Sequence, residues 1–94
     1  MVTAIVLINA RRESINETAE ALTQLDGVAE VYSVAGEWDL VAIIRVPTND
    51  RLAALVTGHM LKLGGIVKTS TLIAFRAYSR YDLERMFSIG FKEA

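Results

Sequence analysis

The chain predicts an α+β two-layer sandwich of order β-α-β-β-α-β, and three observations carry that expectation. Four β-branched, apolar runs are set apart by turn residues. Stretches with helical spacing follow the first and third of these runs. The two halves also echo one another. LTQLDGV at 22–28 lines up with MLKLGGI at 60–66, and Ile5-Val6 lines up with Ile43-Ile44 at the same offset. Two similar βαβ halves with right-handed crossovers build the split βαβ arrangement known as ferredoxin-like.

The first run, TAIVLINA at 3–10, is apolar on both faces and reads as a covered strand. SINE follows, with Ser14 and Glu17 at capping-box spacing. Ile15, Ala19, Leu22 and Leu25 then share one helical face, and Gly27 stands where a helix ends in a left-handed residue. The second strand is expected at 28–34, with Val28, Tyr32 and Val34 on one side and Val31 on the other. Gly36 turns the chain into a third apolar strand at 40–46, which Pro47 ends. Thr48, Asn49 and Asp50 offer capping oxygens to a second helix buried through Leu52, Leu55, Val56, Met60 and Leu63. Gly64 and Gly65 stop it, and 66–78 reads as a long fourth strand. SRYD repeats the cap spacing at Ser79 and Asp82, which predicts a short third helix carrying Leu83, Met86, Phe87 and Phe91. The domain is expected to occupy residues 1–78, with 79–94 as a tail or short helix.

Composition narrows the function classes. With 94 residues the chain makes one small domain, yet 52% of it is hydrophobic and its mean hydropathy is +0.33. Two helices cover only one face of a four-stranded sheet. Strands one and three are nevertheless apolar on both faces, so the open face is expected to pack on a second copy, as in a dimeric α/β barrel. Ten basic residues against eleven acidic ones leave a formal charge of −1, which argues against direct nucleic-acid binding. There is no cysteine for disulfides or thiolate metal sites. The apolar run at 2–10 precedes Arg11 and Arg12 and falls well short of the ~20 residues of a membrane span. A cytoplasmic protein that neither crosses nor anchors in a membrane is expected.

Few residues suggest chemistry. His59 falls on the apolar side of the second helix, where a lone histidine is ordinarily a hydrogen-bonded core residue, and no partner ligand follows it at i+4. Neither a phosphate loop nor a nucleophile elbow is present, so no catalytic residue, metal site or cofactor is assigned. The exception is AGEWD at 35–39. Read on pattern alone, it is either an acidic hairpin tip or the rim of a pocket. Trp38, the one tryptophan, sits there between two acids, and a carboxylate beside an aromatic wall suits an ammonium group. Glycine-turn amides and the hydroxyls of Thr69, Ser70 and Thr71 would suit a carboxylate.

Two stretches resemble the ligand-binding domain of the Lrp/AsnC (feast/famine) regulators, also called the RAM domain. They are LDGVAEVYSVAGEWDLVAII at 25–44, with V-x-G-x-x-D at the hairpin, and LGGIVKTSTLIAF at 63–75. The resemblance covers roughly residues 2–78 and departs from the family in Gly64, where proline is frequent. The family's helix-turn-helix domain has no counterpart here, so a stand-alone form is expected and DNA binding is not carried over. The resemblance implies homodimers that assemble into octamers or decamers, with an amino-acid effector bound between dimers. It places that effector against Ala35, Gly36, Glu37, Trp38, Asp39, Thr69, Ser70 and Thr71. Asp39 would take the ammonium, the turn amides and hydroxyls the carboxylate, and Trp38 the side chain. Alternation puts Ser70 on the opposite face from Thr69 and Thr71. A full-length regulator of the family is a further candidate partner. Two other readings compete with this one. Small monooxygenases share the topology, some haem-degrading ones using Asn, Trp and His, and this chain has Asn9, Trp38 and His59. A purely structural oligomerisation module is the third reading.

Overall fold

A computed structural model of the chain describes residues 1–78 and Arg80. Four strands, β1 (Val2–Ala10), β2 (Val28–Ser33), β3 (Leu40–Val46) and β4 (Ile66–Ile73), form one antiparallel sheet in the order β2-β3-β1-β4. Helix α1 (Ile15–Thr23) follows β1, and α2 (Asn49–Ala53) opens the segment between β3 and β4. This is the ferredoxin-like α+β arrangement that the pattern predicts. The third helix expected from Ser79 and Asp82 lies outside the described residues.

Alternation along the central strands builds the core. Ala4, Val6, Ile8 and Ala10 of β1 stand opposite or beside Leu40, Ala42, Ile44 and Val46 of β3, and all eight are buried. Leu22 from α1, Leu52 from α2, and Leu55 and Met60 beyond it close over them. The other sheet face carries Ile5, Leu7, Val41 and Ile43, which are only half-buried, with exposed Tyr32 and Leu72 at its flanks. Within the chain no second layer covers that face among the described residues.

Four local expectations are corrected. A bulge between Val28 and Glu30 places Val28 against Ile44 and Val31 against Ala42. Both valines therefore face the helices, because the extra residue resets the alternation. Ser14 makes no side-chain cap bond. A 3-10 turn at Arg12–Ser14 leads into α1 instead, with the Ser14 N–H donating to the Arg11 carbonyl at 2.9 Å. Strand β4 ends at Ile73 rather than 78. Ala74 N–H still reaches the Thr3 carbonyl at 2.9 Å, but β1 begins at Val2 and offers nothing further to pair with.

The fourth correction concerns the second helix. Thr48 caps it, its hydroxyl accepting from the Arg51 N–H at 3.2 Å. After Ala53 the chain passes into a π-helical turn, Ala54–His59, and then a 3-10 turn, Met60–Lys62. A π-turn takes in about one more residue than an α-turn. Leu55 and Met60, five residues apart, thus both reach the core, at 4% and 0% exposure. A continuous α-helix would have set His59 beneath Leu55; the π-turn rotates it outward, and His59 is exposed.

Candidate functional site

The loop between β2 and β3, residues 34–39, is closed by backbone bonds at its base. Val34 N–H donates to the Asp39 carbonyl and Asp39 N–H to the Ile8 carbonyl, both at 3.0 Å. Gly36 takes φ +122°, a conformation that side chains disfavour, and a Cβ there would meet open space. Ala35, Gly36 and Glu37 are exposed at the tip, whereas Trp38 and Asp39 are partly buried at the base.

Asp39 is tied into the fold by its side chain as well. The Ala10 N–H donates to Asp39 Oδ2 at 3.0 Å, satisfying an amide where β1 leaves the sheet. That bond fixes the carboxylate's orientation and occupies one oxygen. Among the described residues the second oxygen, Oδ1, accepts no hydrogen bond. On the other side of the β1 end the Lys68 Nζ lies 5.4 Å from the centre of the Trp38 ring, inside cation–π range.

Register sorts the β4 residues. Thr69 stands opposite Ile8 and Thr71 opposite Val6, on the helix-covered face. Ser70 stands opposite Leu7 and Lys68 opposite Asn9, on the open face. The end of the open face therefore brings together Trp38, Asp39 and Lys68, with Ser70 one alternation further along. Sequence reasoning passed over Lys68. The same alternation that separates Ser70 from its neighbours puts Lys68 on the open face, but its contact with Trp38 needs the sheet order.

A second region of interest lies at the far end of β3. A cleft of about 450 Å³ opens there, lined by residues that include Gly27, Pro47, Arg51, Leu55 and His59. Strand β3 runs seven residues from Leu40 to Val46, about 20 Å at strand rise. Trp38 adjoins one end and His59 the other, so Asn9, Trp38 and His59 do not converge as a haem-degrading trio would. On the outer strand the Tyr32 hydroxyl donates to Glu30 Oε2 at 2.6 Å. That bond and the negative charge of Glu30 hold the phenol above its ordinary range. Among the described residues no group of three His, Asp or Glu side chains is placed to hold a metal ion. None of the helices described is long and apolar enough to cross a membrane.

Comparison with known proteins agrees with this architecture. Residues 3–83 match the Lrp/AsnC ligand binding domain. An uncharacterized HTH-type transcriptional regulator of Pyrococcus horikoshii is 33% identical over 76 residues, covering 78% of this chain and 51% of that protein. The chain thus spans about half the length of such regulators. The crystal structure of TTHA0845 from Thermus thermophilus superposes with a TM-score of 0.80 at 48% identity, over 85% of this chain and all of that one. A feast or famine regulatory protein from M. tuberculosis, solved with L-methionine, gives a TM-score of 0.71 at 26% identity, over 85% of this chain and 54% of that one. The chain belongs to the Lrp/AsnC ligand-binding domain family.

Proposed function

We propose that this chain is a non-catalytic effector-binding module that senses an amino acid in the cytoplasm. The observation that carries the reading is Asp39: one carboxylate oxygen is anchored on the Ala10 amide, at the base of a glycine turn that also carries Trp38. A fixed acceptor of that kind suits an ammonium group. The L-methionine complex of the M. tuberculosis relative supports an amino acid as the ligand class.

In this reading the effector binds between dimers against Ala35, Gly36, Glu37, Trp38 and Asp39, with β4 supplying Ser70 and, at its covered side, Thr69 and Thr71. The ammonium goes to Asp39, the carboxylate to the turn amides and hydroxyls, and the effector's side chain to Trp38. The uncovered sheet face, with Ile5, Leu7, Val41 and Ile43, supports a homodimer packed sheet to sheet. Octameric or decameric rings of such dimers would then place the turns of neighbouring dimers together. The module would act on or with a full-length regulator of its family.

Isothermal titration of the chain with the common L-amino acids, run alongside sedimentation velocity, tests the proposal. Heat from at least one amino acid and a ligand-dependent change in assembly are expected. No heat from any of them, with sedimentation unchanged, would sink the reading.

A further inference from the structure

We infer that Lys68, held over the Trp38 ring, is the counter-ion for the effector's carboxylate, so that the site selects zwitterionic α-amino acids over amines and amides. The inference rests on the reading that the Gly36 turn binds an amino acid.

Three observations place Lys68 in that role. Strand β1 ends between the two charged residues: Asp39 N–H donates to the Ile8 carbonyl on one side, and Lys68 is the register partner of Asn9 on the other. Two neighbouring strand spacings separate Asp39 from Lys68, about 10 Å between backbones. The two charged side chains thus start from strands on either side of β1, a placement that suits a ligand carrying an ammonium and a carboxylate on one carbon. Second, the partner that the structure gives the Lys68 ammonium is the face of an aromatic ring, 5.4 Å from its centre. Such a contact holds the cation in place at an exposed site but leaves its hydrogen-bond donors unused by the ring. Third, the hydroxyls of Thr69 and Thr71 stand on the helix-covered face, while Lys68 shares the open face with Asn9 and Ser70. Of these β4 residues, Lys68 is the one that combines full charge with the correct face.

The arrangement gives Trp38 a second task. One face of its ring is occupied by Lys68, so an approaching carboxylate competes with the indole for the ammonium. Binding should draw Nζ from the ring and change the emission of the chain's one tryptophan.

The test is calorimetry on the whole chain with the tightest-binding common L-amino acid and with that amino acid's primary amide. Wild type, Lys68→Gln and Lys68→Arg are compared. Lys68→Gln should weaken the acid roughly tenfold, the order of a charge-assisted bond at a partly wet site, and change the amide less than twofold. Lys68→Arg should restore most of the preference. In wild type, Trp38 emission should shift with the acid and stay constant with the amide. An unchanged acid-over-amide preference in a folded Lys68→Gln protein overturns the role of Lys68 while leaving the amino-acid site standing. Absence of binding by every amino acid to wild type overturns both.

Discussion

The two ends of strand β3 each hold a glycine at positive φ, yet the two glycines answer different demands. Gly27, at φ +103°, stands four residues beyond the end of α1 at Thr23, where it turns the chain into β2 against the last residues of β3. Its carbonyl accepts from the Arg45 N–H at 2.9 Å, and a Cβ would come within 2.7 Å of Val46 Cγ1 and 3.2 Å of Leu55 Cδ2. Gly36, at φ +122°, has nothing within 4 Å of the same ideal position. Packing requires the first glycine. Only the turn's backbone requires the second, which leaves its surroundings free for a ligand or a neighbouring subunit. A positive φ in a sequence motif therefore says little about function until the space around it is known.

Alanine at each position separates these roles. Gly27→Ala combines backbone strain with a clash into core side chains, and should cost about 3 kcal/mol or more. For a domain of this size that lowers the melting temperature by roughly 12–24 °C. Gly36→Ala carries strain of about 1–3 kcal/mol, partly offset by the smaller entropy of its unfolded chain. It should fold, melt closer to wild type than Gly27→Ala does, and bind effector less well. Urea melts of the two variants check the comparison. Equal losses at both positions would mean that the Gly36 end is packed as the Gly27 end is.

Asp39→Asn probes the ligand end more finely. Asparagine keeps a side-chain oxygen for the Ala10 amide, so the variant exchanges a charge-assisted bond for a neutral one and loses about 1 kcal/mol of stability. Its loss of affinity for the effector should be larger, because the ammonium then meets an uncharged amide. Calorimetry and a denaturant melt on the same preparation compare the two effects. Unaltered assembly and unaltered effector response in Asp39→Asn would favour a purely structural oligomerisation module.

The sequence reported the two ends unequally. Strands β1 and β3, apolar on both faces, announced a central pair with an uncovered side, and Gly27 announced a left-handed turn, although α1 ends four residues before it, at Thr23. These features repeat over many residues or need a single residue type, so pattern reaches them. What pattern missed were changes of period. The bulge after Val28 and the π-turn before Met60 each insert one residue, and every later side chain rotates with it. The fixed period of 3.6 assigned His59 to the core for that reason. Lys68 was missed differently. Its partner is Trp38, thirty residues away across the end of β1, and no spacing rule links them. The family resemblance, in contrast, named the Gly36 turn directly.

The smallest effect expected belongs to β2, the outer strand that runs between the two ends. Tyr32 donates to Glu30 from an exposed position, and its pKa is raised above the 10.0 of a free phenol, by that hydrogen bond first and by the charge of Glu30 second. A raised pKa means that the folded chain holds the phenolic proton more tightly than the unfolded chain does. The stabilisation is therefore fully present below pH 10.0 and is lost as pH rises through the folded-state value. Wild type should lose stability above that pH relative to Tyr32→Phe, and the two should run parallel below it. Thermal melts across pH 8 to 11 measure the difference. Because the pair borders the open sheet face, burial between two sheets would strengthen the bond. The divergence should then grow with protein concentration if the face is shared by a second copy, and stay constant if each chain stands alone.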